Sequence, residues 1–178
     1  MNITPTTEET PTLRKDKLAK FNHVLNNIDT QKKVACMMAQ ETSPDQSRDG
    51  FKIAFLRCNS FEVELSVDCW IKYWDLRLSI FGEEKAFLPM TLEGAMEGSK
   101  KAVSSTYMKV AKSMTDPDGP AICLFDFREE KGDISNDDLF KAVYYNWHVC
   151  LSTELTQKKG VVAYFRCLKT CFDRRQSI

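Results

Sequence analysis

Residues 61–69 alternate without a break. Phe61, Val63, Leu65, Val67 and Cys69 take every second position, with Glu62, Glu64, Ser66 and Asp68 between them. A period of two sends the apolar side chains to one face and the polar ones to the other, the pattern of a half-buried β-strand. This is the strongest periodic signal in the chain. It predicts a sheet, with Phe51, Ile53 and Phe55 in the strand before the Asn59-Ser60 turn and Leu76, Leu78 and Ile80 in the one after it. Short connections between these runs favour antiparallel pairing. On this reading Glu62, Glu64 and Asp68 form the solvated face rather than a catalytic carboxylate pair.

The remaining elements follow from local signals. Thr10-Pro11 offers a helix start, and Leu18, Phe21, Leu25 and Ile28 follow at helical spacing. Thr30 is read as the cap of a short continuation. Residues 91–114 carry Leu92, Met96, Val103, Tyr107, Val110 and Met114 on one arc, which predicts a long amphipathic helix, though Gly94 and Gly98 each cost about 1 kcal/mol in a helix interior. Residues 121–127 read as a short apolar strand. Ser135 opens a capping box before a short helix carrying Leu139, Phe140, Val143, Tyr144 and Trp147. Residues 149–153 and 161–167 read as two strands of a hairpin turning at 156–160.

The expected fold is therefore α+β: a mostly antiparallel sheet packed against one long and one short helix, with a helical and disordered N-terminal arm. The expected divisions are a disordered tail over 1–12, a helical arm over 13–40, a linker over 41–50, a compact α+β domain over 51–172 and a basic tail over 173–178. A chain of 178 residues with 43% hydrophobic content suits this single core.

Seven dispersed cysteines and an N-terminus without a basic-then-apolar leader suggest reduced thiols in a cytoplasm. No apolar run approaches the roughly 18 residues of a membrane span. No glycine-rich phosphate loop, Gly-x-Ser-x-Gly or His-Glu-x-x-His occurs, so no catalytic residue is assigned and no cofactor is expected. His148, Cys150, Cys167 and Cys171 form the one group with zinc-ligand chemistry. Their spacing is not that of a zinc finger, and buried cysteines in a two-sided sheet explain them as well.

Charge is balanced at 25 bases against 25 acids, but it is segregated. Residues 116–138 hold eight acids against Arg128 and Lys131, a balance of −6, whereas residues 158–178 hold six bases against Asp173, a balance of +5. Such segregation suits self-association or docking on an anionic partner. The candidate basic face comprises Lys101, Lys112, Lys158, Lys159, Arg174 and Arg175. Trp70, Tyr73 and Trp74 do not share one strand face, so they are candidate exposed aromatic anchors.

The Thr/Pro-rich tail NITPTTEETPTLRKDK, the sheet-plus-long-helix order of 51–170 and the small signal-less chain with scattered cysteines resemble the matrix proteins of plant rhabdoviruses, particularly the cytoplasmic type. The tail lacks the Pro-Pro-x-Tyr motif and the strongly basic start of animal-virus relatives. The resemblance implies a non-enzymatic structural protein of virion and host cytoplasm. Such a protein self-associates and bridges nucleocapsid and an anionic membrane surface. The other reading is a small cytoplasmic adaptor or viral accessory protein that binds host protein or RNA.

Overall fold

A computed structural model describes residues 8–105, 108–111, 119–126 and 133–166. The chain divides into two compact units, Met1–Pro89 and Met90–Ile178. The fold is mostly helical, with one small three-stranded sheet, and this corrects the expected mostly antiparallel α+β domain. The division at 89/90 also differs from the expected boundaries at 12, 40, 50 and 172.

The first unit contains only helices among its described residues: α1 (Pro11–Asn27), α2 (Val34–Thr42), α3 (Asp49–Cys58) and α4 (Val63–Lys85). The Leu13 amide donates to Thr10 Oγ1 at 3.1 Å, and Pro11 sits in the first turn of α1, as the sequence suggests. Asp29, not Thr30, caps the following short 3₁₀ turn. Residues 51–88 are helical, and the alternation over 61–69 does not make a strand. The buried positions of α4 are Val63, Ser66, Val67, Trp70, Ile71, Trp74, Arg77 and Phe81, a continuous 3.6-residue stripe. Alternation over nine residues overlaps that stripe only at its start. Leu65 falls off it and is half exposed, while Ser66 falls on it and is wholly buried, its hydroxyl donating to Glu62 O at 2.6 Å. Gly82, at φ 71°, kinks the end of α4 in a conformation that glycine adopts without strain.

The helices α1, α2 and α3 all pack on α4, so residues 13–40 belong to the packed unit and are not a separate arm. Phe21 of α1 is fully buried and meets Trp70 edge-on at 6.2 Å. Within the expected tail, Glu9 is already tied down. Its carboxylate accepts from Arg57 Nε at 3.1 Å and Nη2 at 2.8 Å.

In the second unit the expected long helix over 91–114 is replaced by turns, a short α5 (Lys100–Val103) and a strand β1 (Met108–Ala111). Gly98 adopts φ 91°, outside the helical region, so one of the two glycines that weaken the helix pattern interrupts it. There follow β2 (Ala121–Asp126), α6 (Asn136–Cys150), α7 (Glu154–Lys159) and β3 (Val161–Arg166). Ser135 caps α6, accepting from the Asp138 amide at 3.0 Å. The expected strand over 149–153 is instead the end of α6 and the turn after it. A helix that continues to Cys150 keeps Ala142, Asn146 and Cys150 on one buried stripe. The expected hairpin loop is α7, capped by Thr153 and ended by Gly160 at φ 82°. With helices in the connection, β3 pairs parallel to β2, while β1 pairs antiparallel to β2 on its other side.

Candidate functional site

The period of two in β2 and β3 gives this sheet two unlike faces. Ala121, Cys123 and Phe125 of β2 form a buried cluster with Cys150 of α6, and Val143, Trp147, Val161 and Ala163 pack against it. The intervening residues point to the opposite face. There the register sets Lys109, Leu124 and Tyr164 in one row across the three strands, and Ile122 beside Val162 in another. Arg166 follows two residues beyond Tyr164 and lies 3.6 Å from Asp126. Tyr164 is 59% exposed. Neighbouring strands are about 4.8 Å apart, so Lys109 and Tyr164 stand roughly 10 Å apart with an aliphatic floor between them. An exposed aromatic ring flanked by cations on a sheet can stack a planar group and hold anionic groups on either side.

β3 adds a second feature. It is the edge of the sheet among the described residues, and it runs Val-Val-Ala-Tyr-Phe before its one charge, Arg166. Phe165 stacks on Phe125 with centroids 4.8 Å apart and is still 62% exposed.

The sequence-derived basic face is only partly brought together. Lys101 lies on α5 with its ammonium 4.0 Å from Asp133, and α5 packs on α6. Lys158 and Lys159 close α7, immediately before β3; Lys158 pairs with Glu154 at 2.6 Å, and Lys159 is exposed. Lys112, Arg174 and Arg175 lie outside the described residues. Sequence reasoning put Lys109 on a helix and left Tyr164 unassigned. The available signal was parity: Tyr164 falls opposite the Val161, Ala163 and Phe165 set.

The aromatic anchors are corrected. Trp70 and Trp74 are 0% exposed and Tyr73 is partly buried, because α4 aims all three into the first unit's core. Trp70 donates to Cys36 Sγ at 3.1 Å and meets Phe55 edge-on at 5.1 Å. Arg77 is buried beside them, its guanidinium 5.1 Å from the Trp74 ring and donating to Leu88 O at 2.5 Å and Gln46 Oε1 at 3.0 Å.

Of the candidate zinc group only His148 and Cys150 lie among the described residues. His148 and Cys150 are two residues apart on a helix, about 200° around its axis. Cys150 faces Cys123, Sγ to Sγ 3.5 Å, and burial pushes the Cys123 thiol up to about 12. Cys167 and Cys171 lie outside the described residues. Among the described residues no group of three or more His, Cys, Asp or Glu is placed to hold a metal ion. No described helix is long and apolar enough to cross a membrane.

No protein-family model and no curated protein matches this chain.

Proposed function

We propose that the protein is a non-enzymatic docking and assembly protein whose second unit binds single-stranded RNA or a ribonucleoprotein. The observation that carries this reading is the Lys109–Leu124–Tyr164 row, with Arg166 beyond it, on the sheet face opposite α6. Tyr164 supplies a stacking surface that every base can use. Lys109, Arg166 and Lys159 supply positive charge for phosphates without reading sequence. The basic stretch after residue 157 adds charge of the same sign. A self-associating protein of this kind would serve as the matrix-type structural protein that its tail and size resemble, in virion and host cytoplasm. The sheet-plus-long-helix order no longer supports that resemblance, so the role rests on the surface alone.

Fluorescence anisotropy with a single-stranded oligonucleotide across ionic strength tests the reading. Affinity should fall linearly on log–log axes as salt rises. Tyr164→Ala should weaken binding by about 5- to 150-fold, the worth of one base–aromatic stack. Lys109→Gln and Lys159→Gln should each make the salt slope shallower. Binding that ignores salt and all three substitutions would sink the reading. Anionic vesicles form the second arm: retention by vesicles without RNA binding would make the partner a lipid surface.

A further inference from the structure

We propose that Cys123 and Cys150 are a redox-responsive pair: a peroxide closes them into a disulfide that locks the end of α6 onto the central strand, and a dithiol reductant reopens it. The inference is independent of the RNA reading, because it concerns the opposite face of the sheet.

The fold, not the local sequence, makes this pair. Cys123 lies on β2 and Cys150 is the last residue of α6, 27 positions later. Their sulfur atoms are 3.5 Å apart. A disulfide bond is about 2.0 Å long, so closure asks for side-chain rotation and a small shift of a helix end. Ala121, Phe125, Val143 and Trp147 belong to the same cluster. None of these side chains carries a group that would react with an oxidised sulfur.

Burial decides how the pair is reached. Cys123 is 0% and Cys150 4% exposed, and burial holds both thiols protonated at neutral pH. The closed form therefore reacts slowly. Cys150 is the point of entry. It ends its helix beside exposed Val149, and helix ends open at low cost, whereas Cys123 is held in the middle strand.

The steps balance. The Cys150 thiolate attacks one peroxide oxygen and the O–O bond breaks. Hydroxide leaves, takes up the proton released by the thiol and becomes water, and Cys150 is left as the sulfenic acid. When the helix end closes, the Cys123 sulfur attacks the Cys150 sulfur. The S–O bond breaks, and the departing hydroxide takes the Cys123 proton as a second water. Each thiol has given up one electron and one proton, and the peroxide has accepted both pairs. A partner already 3.5 Å away captures the sulfenic acid before a second peroxide arrives. A dithiol reductant reverses the closure by exchange and leaves as its own disulfide. The closed form ties α6 to β2 and restricts the unfolded chain, so the second unit resists opening.

Peptide mapping of the folded full chain tests the pair. The reduced protein is treated with hydrogen peroxide, and the remaining thiols are trapped with N-ethylmaleimide in urea. Trypsin should release residues 113–128 joined to residues 142–158, each of which holds one cysteine, and dithiothreitol should separate them. The urea midpoint of the peroxide-treated protein should rise by about 1 M or more and return on reduction. Cys150→Ala should leave the midpoint unmoved by peroxide, whereas Cys58→Ala should still form the joined peptide. Both thiols trapped unreacted after peroxide would overturn the proposal. So would sulfinic acid at Cys150 in place of the disulfide, bonds from Cys123 or Cys150 to other cysteines, or a joined peptide that forms only when peroxide is added to the urea-unfolded chain. The mapping is read on the parent protein, so it decides the question even where a variant fails to fold.

Discussion

The sulfur atoms of Cys123 and Cys150 lie 3.5 Å apart inside the second unit, one on the central strand and one at the end of α6. Burial, followed by the hydrogen bond and charge repulsion of its neighbour, keeps the Cys123 thiol protonated up to about 12, and burial raises Cys150 as well. In the unfolded chain both ionise near their ordinary value of 9.0. Between those values the folded state binds more protons than the unfolded one, so stability is fully present below about pH 9 and is lost as pH rises toward 12. The expected slope from Cys123 is about 1.4 kcal/mol per pH unit, and Cys150 adds to it in the same direction. Urea unfolding at a series of alkaline pH values should show it, and Cys123→Ala should make it shallower.

Asp138 works in the opposite direction. Hydrogen bonds from Ser99 Oγ at 2.6 Å and Ser135 Oγ at 2.7 Å, Ser99 first, hold its carboxyl below the ordinary carboxylate range. Its contribution is present above the unfolded value near 4 and disappears as pH falls through the depressed folded value. Ser99→Ala should cost about 1–2 kcal/mol at pH 7 and much less at pH 2. Thermal unfolding at both pH values checks this; an equal loss at both would show that packing, not the carboxylate, accounts for the serine.

The N-terminal anchor makes a third prediction. Glu9 and Arg57 side chains are 6% and 9% exposed, and removing one partner leaves the other charge buried. Glu9→Ala should lower stability by about 3 kcal/mol. The double variant Glu9→Ala with Arg57→Met should lose less than the sum of the two single changes, because neither residue then strands its partner.

The bend between α3 and α4 holds Ser60 at φ 51° and Phe61 at φ 62°, both in the left-handed region. Phe61 is held there by its burial and by its amide, which donates to Leu56 O at 2.7 Å; Ser60 is exposed. Ser60→Gly removes the side-chain clash in that conformation and should raise the unfolding free energy by about 0.5–1 kcal/mol in a urea melt. Phe61→Gly should instead be strongly destabilising, since it empties a core position.

Local chemistry was readable where it is carried by two or three adjacent side chains. Thr10-Pro11 starts α1, Ser135 caps α6 and β2 is a short apolar run, because each depends on groups within one turn or one strand. The reading failed where two periods competed. Residues 61–69 satisfy a strand over nine positions, yet Trp70, Trp74, Arg77 and Phe81 extend the helical stripe well past them, and the longer pattern buries two tryptophans. The same competition turned the expected strand over 149–153 into the end of α6. Residues 91–114 failed in reverse: an apolar arc exists, but Gly98 within it adopts φ 91°, outside the helical region.

The sequence by itself determined the caps of α1 and α6, the charge segregation and the parity that separates Tyr164 from Val161 and Ala163. Tertiary structure alone decided that β3 joins β2 in parallel, which places Lys109, Leu124 and Tyr164 in one row. The reason is physical. Caps and parity are set by bonds within one segment, whereas a row across three strands depends on which segments cover each other's apolar faces, and that depends on burial summed over the whole unit.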